Sequence, residues 1–395
     1  MRNDLPKGFS AGTAQASFKK AGRDDLAILV SDTPCVLAAL FTQNKFCAAP
    51  VQVDKKILAQ GKPVRAVVAN SGQSNACTGE EGLRNCGRIQ QMAAEALGIA
   101  PDEVLLISTG VIGAQFDMGK WALSFPEAAR TLGERDAEGF TRAIMTTDAF
   151  PKFAARSVTL SGGEIRLCVM AKGAGMICPN MATMLCVVLT DAAVAREAWQ
   201  DIFARAVNST FNRVSVDGDT STNDTILALA NGASGIEAKS ADDLALLEKS
   251  LTEILDKVST MLVRDGEGAK KVMHIVVRGA ASENDARLAA RAIGNSQLVK
   301  TAVYGGDANW GRILNAVGYS GANFNPGDVR LSLCGIERFR DGQPVNDDKE
   351  EELAKLLAAD DVQIDVTLGD GQFEYSFKAS DLGHEYVSLN SDYRS

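Results

Sequence analysis

The chain has little of what usually announces a catalytic or binding class. Only two histidines, His274 and His384, occur in 395 residues, so activation of a nucleophile by imidazole is poorly supplied. The eight cysteines, Cys35, Cys47, Cys77, Cys86, Cys168, Cys178, Cys186 and Cys334, include no C-x-x-C pair, which with so few histidines argues against a zinc site of ordinary spacing. Several cysteines stand in apolar runs such as Leu167–Met170 and Leu185–Val188, and buried, reduced thiols are the expected reading. No stretch of about 18 apolar residues is found, so no membrane-spanning helix is expected. The opening MRNDLPKGFSAG lacks a basic segment followed by an apolar one, and a cytoplasmic location is expected.

Nucleotide and hydrolase signatures are missing too. Gly113–Lys120 has five residues between its glycines instead of four, and Trp121 stands where Ser or Thr should bind magnesium, which rules out a Walker loop. No G-x-G-x-x-G follows a predicted strand and no G-x-S-x-G elbow occurs, so dinucleotide binding and a serine triad lose their usual signals. Asp217-Gly218-Asp219 fails the calcium-loop pattern, which needs glycine at the sixth position, and reads as a polar turn. A net charge of -9 repels a polyanion, so nucleic acid is an unfavoured partner. A small zwitterionic or cationic substrate is compatible with that field, and so is plain solubility.

What is present is the composition of an ordinary globular protein, 46% hydrophobic and 23% charged. The length exceeds what one core usually supports, so about two domains or lobes are expected. Apolar runs predict strands at Leu26–Val30, Val36–Thr42, Val64–Ala69 and Val104–Ser108. Helical periodicity covers Glu80–Leu97, Phe140–Thr147, Val194–Phe211, Ala241–Arg264, Glu283–Ile293 and Asp348–Ala358. The class is α/β or α+β.

One segment stands out: residues 164–192, EIRLCVMAKGAGMICPNMATMLCVVLTDA, read as strand, glycine-rich turn, strand, the second run beginning at Thr183. From composition alone Thr183 merely starts a strand. The spelling around it, Lys172-Gly173-Ala174-Gly175 through Asn180-Met181-Ala182-Thr183, closely resembles the self-cleavage motif of the ornithine acetyltransferase family of arginine biosynthesis. Asn70-Ser71-Gly72, Asn75–Gly79, Ser108–Gly113, Met145–Asp148, Val216–Asp224 and Asn309–Ile313 look like further landmarks of that family, in its order, so the resemblance spans nearly the whole chain. Ala308 stands where the family pattern has proline, and the final Ser395 where threonine is common; the first changes loop stiffness and the second keeps a hydroxyl.

The resemblance implies an αββα sandwich of stacked sheets with a smaller C-terminal lobe. It implies autoproteolysis between Ala182 and Thr183 into an alpha chain, residues 1–182, and a beta chain, residues 183–395, which together form one catalytic unit and pair into a heterotetramer of two of each. Freed Thr183 is the expected nucleophile, with its own α-amine as base. Acetyl would pass from N-acetylornithine to glutamate by a ping-pong acyl-enzyme route. Thr109 and Gly110 are the expected oxyanion hole, and Thr146, Lys172, Thr183, Glu267, Asn390 and Ser395 the substrate contacts. No metal or bound cofactor is implied, and whether acetyl-coenzyme A also serves as a donor substrate stays open. An N-terminal-threonine amidase or peptidase handing the acyl group to water is the alternative, followed by a non-catalytic binding protein that kept the fold.

Overall fold

Strands with apolar residues at successive positions need cover on both faces, and that need organises the molecule. The computed structural model describes residues 4–18, 21–178 and 184–392; Ala182, Thr183 and Ser395 lie outside them. The chain divides into two compact units, one running to Asn212 and adding Asp219–Leu262, the other comprising Arg213–Gly218 and residues 263–392.

The larger unit holds β1 (Phe9–Ala14), β2 (Leu26–Phe41), β3 (Val64–Gln73), β4 (Val104–Val111), β5 (Lys152–Leu160), β6 (Gly163–Lys172) and β7 (Leu185–Thr190). After β8 (Val214–Ser215), which belongs to the smaller unit, comes β9 (Thr225–Ala230). Its helices are α1 (Ala49–Gln60), α2 (Gly79–Leu97), α3 (Met118–Arg130), α4 (Ala137–Ile144), α5 (Arg196–Ser209) and most of α6 (Ala241–Arg264). Strand order is β4-β3-β2-β9-β7-β6-β5, with β1 also on β2.

The layers follow from the two halves of β2. Leu26–Val30 pair with β3, whereas Val36–Phe41 pair with β9, and the β2–β3 ladder breaks between Val30 and Cys35. The strand therefore turns a corner from one sheet to the other. Leu29, Val67 and Ile107 of the first sheet share a core with Met170, Val187 and Leu227 of the second. Outside the second sheet, Val169, Val188 and Ala228 pack with Trp199 and Phe203 of α5 and Leu251 of α6. Outside the first, Val68 and Leu106 pack with Ile89 of α2 and Trp121 of α3. Helix, sheet, sheet, helix is the expected αββα sandwich.

Several boundaries differ from those read along the sequence. The two strands expected on either side of Pro34 are one strand, because Pro34 falls in the unpaired corner where its missing N–H breaks no ladder bond. The helix expected over Phe140–Thr147 runs instead from Ala137 to Ile144, started by the Asp136 carboxylate accepting from Gly139 N–H. Met145 is extended, which releases Thr146 from the helix. Helices α1 and α3 had no counterpart in the reading; each carries proline, Pro50 in the first turn and Pro126 internally.

The smaller unit carries β10 (Val272–Ala280), β11 (Arg330–Leu333), β12 (Ile336–Arg340), β13 (Gln343–Pro344), β14 (Asp361–Thr367) and β15 (Phe373–Ser380). With β8 they form one sheet in the order β13-β12-β11-β14-β10-β15-β8. Ile275, Val277, Ile364 and Phe377 pack under Ala286, Ala290 and Ile293 of α7 (Glu283–Asn295). The unit also holds α8 (Gln297–Gly305), α9 (Trp310–Gly318), α10 (Glu350–Leu357) and α11 (His384–Asp392).

The strand order bears on the expected cleavage. β7 and β9 follow residue 183 yet lie between β2 and β6, which precede it. Six register pairs join β2 to β9 and six join β6 to β7, so a break at Ala182–Thr183 leaves both ladders intact. The two fragments are expected to co-elute in native size-exclusion chromatography and to part only in denaturant. Separate native elution would contradict the interleaved sheet.

Candidate active site

Chemistry gathers where β4 and β6 end beside the turn after α4. Lys172, the last residue of β6, is 4% exposed. Its Nζ donates to Thr146 Oγ1 at 2.7 Å and to Thr109 Oγ1 at 3.2 Å, and Asp148 Oδ2 lies 3.9 Å away. Thr109, Thr146 and Lys172, three of the residues that the resemblance names as oxyanion or substrate groups, thus meet at one ammonium. A hydroxyl has one O–H and two lone pairs. By accepting from Lys172, Thr109 has its own proton available to point elsewhere, polarised by the neighbouring charge.

Gly110 follows Thr109 with φ +129°, and an added Cβ would stand 2.2 Å from the Gly72 carbonyl carbon of β3. Glycine is the residue that fits, and the parallel pairing Gly72↔Gly110 depends on it. Asn223 braces the same strand ends: its Nδ2 donates to Ser74 O at 2.7 Å and to Ser108 O at 2.9 Å.

Asp148 is the hub that the sequence reading placed in a landmark but did not count as a site residue. Its side chain is fully buried, as is that of Lys152, whose Nζ donates to Oδ1 at 2.7 Å. Gly173 N–H donates to the same oxygen at 2.6 Å and Thr146 N–H to Oδ2 at 2.9 Å. Burial alone would push this carboxyl up, but Lys172 and Lys152, with the hydrogen bonds from Lys152 and the Thr146 amide, outweigh it and bring the pKa down to about 2. One carboxylate therefore fixes the turn holding Thr146, the glycine after Lys172, and the electrostatic balance of two buried ammoniums.

A second carboxyl closes the Val216–Asp224 landmark and was given no role in the sequence reading. Asp224 is 1% exposed and lines a small cavity with Thr109, Lys172, Met184, Leu185, Ser221 and Asn223. Burial holds its pKa well above the usual carboxylate range, opposed by the Met184 amide, then by the Thr42 hydroxyl and the Ser221 amide, and more weakly by Lys172. The signal was an acidic residue directly before the apolar run Thr225–Ala230.

The remaining expected contacts lie in the smaller unit and meet each other. Asn390, on α11, donates from Nδ2 to Glu267 Oε2 at 2.8 Å and to Tyr386 O at 3.0 Å. Gly268, φ +70°, lets this helix approach: a Cβ there would stand 2.7 Å from Tyr386 N. Ala182, Thr183 and Ser395 fall outside the described residues, though Met184 places the chain beside the cavity immediately after Thr183.

The rejected phosphate loop has a positive explanation. Gly119 and Lys120 form the first turn of α3, and their N–H groups are capped by the Asp117 carboxylate, so a phosphate would meet a negative charge there. Cys168 and Cys186 are fully buried free thiols with raised pKa, and burial likewise pushes Cys35 and Cys86 up to about 12. These thiols are poor nucleophiles. No described helix is long and apolar enough to cross a membrane.

A doubly layered sandwich whose strand ends gather a buried ammonium bonded to two hydroxyls, beside a backbone position that only glycine fits, is the site class of an acyl-transferring enzyme. The chain belongs to the ArgJ family, whose model matches residues 10–395. It is 55% identical over 390 residues to the arginine biosynthesis bifunctional protein ArgJ of Nitratidesulfovibrio vulgaris, covering 99% of each chain. The protein of that name from Geobacter sulfurreducens is 43% identical over 392 residues, with 98% of this chain and 99% of that one covered. Among solved structures, the ArgJ protein of Bacillus halodurans aligns with TM-score 0.50 and 38% identity, over 52% of this chain and 98% of its own. That crystallised chain is about half as long as this one.

Proposed function

We propose that this protein transfers acetyl from N-acetylornithine to glutamate, giving ornithine and N-acetylglutamate, through an acyl-enzyme on Thr183 formed after the chain cuts itself between Ala182 and Thr183. The observation that carries this reading is Lys172, buried and bonded to Thr109 and Thr146 beside Met184. The names of the close relatives, and the half-length chain of the solved one, support it.

Cleavage gives Thr183 an α-amine of ordinary pKa about 7.7–8.0, so a neutral fraction is present near neutral pH to take the hydroxyl proton. Oγ attacks the acetyl carbonyl, and the oxyanion receives the Thr109 hydroxyl and the Gly110 N–H. Ornithine leaves with the proton, and glutamate's amine reverses the sequence. Losing one such oxyanion donor typically costs about 10²–10³ in kcat. Lys172 and Thr146 are read as contacts for substrate polar groups, with Glu267, Asn390 and Ser395 as the remaining contacts. The reading takes the enzyme as cytoplasmic, free of metal and bound cofactor, and assembled from two alpha and two beta chains; donation by acetyl-coenzyme A belongs to it as a second activity to assay.

The purified protein is expected to release ornithine from N-acetylornithine at a rate that depends on glutamate, with N-acetylglutamate appearing in equal amount. Equal release without glutamate, with acetate as the product, would replace transferase by the amidase reading.

A further inference from the structure

Two buried ammoniums share one carboxylate beside the cavity. Lys152 opens β5 and Lys172 closes β6. Asp148 faces both, with Oδ1 at 2.7 Å from Lys152 Nζ and Oδ2 at 3.9 Å from Lys172 Nζ. The side chains of Lys152 and Asp148 are fully buried and that of Lys172 nearly so. The sequence reading gave Lys152 no role, and no step of the proposed transfer uses it.

A buried lysine is costly to keep. Its ammonium loses water, and apolar side chains of the same volume often stabilise a core as well as an ion pair does. Lys152 is nevertheless well held: Nζ also donates to Phe150 O at 3.3 Å, and the Phe150 ring centroid lies 5.0 Å away, a cation–π distance. The consequence is visible at Lys172. That ammonium donates to Thr146 Oγ1 and Thr109 Oγ1, although a carboxylate is a stronger acceptor than a neutral hydroxyl. Closing the 3.9 Å gap to Asp148 to the length of a charged hydrogen bond, about 2.8 Å, takes a shift of only about 1 Å. Thr146 stands on the Asp148 side, its amide donating to Oδ2, so the contact given up by such a shift is the longer one, to Thr109. Lys152 opposes the shift because it already neutralises the carboxylate from 2.7 Å. Asp224, the other carboxyl on which Lys172 acts, has a raised proton affinity and is a weaker fixed anion.

We infer that Lys152 is a positioning residue for acetyl transfer: by holding the Asp148 carboxylate it keeps Lys172 on Thr109. The inference rests on the proposed role of Thr109 as an oxyanion donor. With Lys172 donating to its oxygen, Thr109 has its single O–H available for the oxyanion. With Lys172 drawn to Asp148, that hydroxyl turns freely and the oxyanion loses an oriented, polarised donor.

The test compares purified full-length protein with a Lys152→Met variant. Methionine keeps an unbranched side chain of similar volume and leaves Asp148 and Lys172 as a balanced pair, so the variant is expected to fold. In its crystal structure Lys172 Nζ should stand within about 3 Å of Asp148 Oδ2 and out of hydrogen-bond reach of Thr109 Oγ1. The kcat of transfer should fall about 10-fold to 100-fold while KM for both substrates stays within about threefold, because the loss falls on an oxyanion donor and not on substrate binding. In a Thr109→Ala background the same change should cost less than about twofold, since no hydroxyl is left to orient. A lysine kept for stability alone would cost the same in either background. Lys172 unmoved, an unchanged kcat, or an equal cost with and without the Thr109 hydroxyl overturns the inference. If the methionine variant does not fold, Lys152→Gln, which keeps a neutral donor for Asp148 without the charge, decides by the same readouts. Wild type without transfer removes the proposed reaction, and a Thr109→Ala change without cost removes its oxyanion donor; the position of Lys172 in the variant then still decides whether Lys152 places it.

Discussion

A Thr183→Ala variant is expected to stay one chain of 41.8 kDa while the wild type resolves, by intact mass, into fragments ending at Ala182 and beginning at Thr183. The methyl group of alanine cannot attack a carbonyl, so both the backbone cut and the acyl-enzyme disappear together. Transfer should fall by at least about 10⁴-fold, the scale on which removal of a covalent nucleophile is felt. Thr183→Ser keeps the hydroxyl and should still cut, which separates loss of the nucleophile from damage to the turn. An alanine variant that splits at the same bond would sink the mechanism.

Asp148→Ala should produce the largest loss of stability. The carboxylate is bonded to Lys152 and faces Lys172, and the side chains of all three are almost wholly buried. Removing one partner of such a group leaves ammoniums uncompensated in a medium that solvates them poorly, at a cost of about 3–5 kcal/mol. For a chain of this size that corresponds to a melting temperature lower by roughly 5 °C. Transfer should fall as well, since the Thr146 amide and Gly173 amide lose their acceptor and Lys172 loses the charge that holds it. A melting curve within about 1 °C of wild type would contradict the account.

The same carboxylate sets an acid limit. Its folded pKa, about 2, lies below the unfolded value of about 3.9, so its contribution is fully present above that unfolded value. It is lost as pH falls toward the folded one. Wild type is therefore expected to lose stability between about pH 4 and pH 2 more steeply than the Asp148 variant, in which this ion pair is already absent.

How much of this could be read along the chain varies by element. Runs such as Leu185–Thr190 are legible because both faces of β7 are buried and an uninterrupted apolar run reports that directly. Helix α6 is legible because its periodicity persists over 24 residues. The corner in β2 was taken for a gap between strands, since a proline in a strand looks like an ending until a second sheet is there to receive the chain. Helices α1 and α3 were hidden by their prolines. Asp148 stood in a quoted motif without a role, because the two lysines that give it one are 4 and 24 residues away and converge only when β5 and β6 pair.

What the sequence determined by itself is local and chemical: the scarcity of histidine and the want of a C-x-x-C pair, the threonine at the glycine-rich turn, and the motifs that place the chain in its family. Only the tertiary structure decided which groups act together. Burial is a collective property of two sheets and their helices, and it is burial that makes Asp148 a fixed anion, Lys172 a directed donor and Asp224 a carboxyl of raised proton affinity. No residue's spelling carries its dielectric surroundings, because those are supplied by strands far away in the chain.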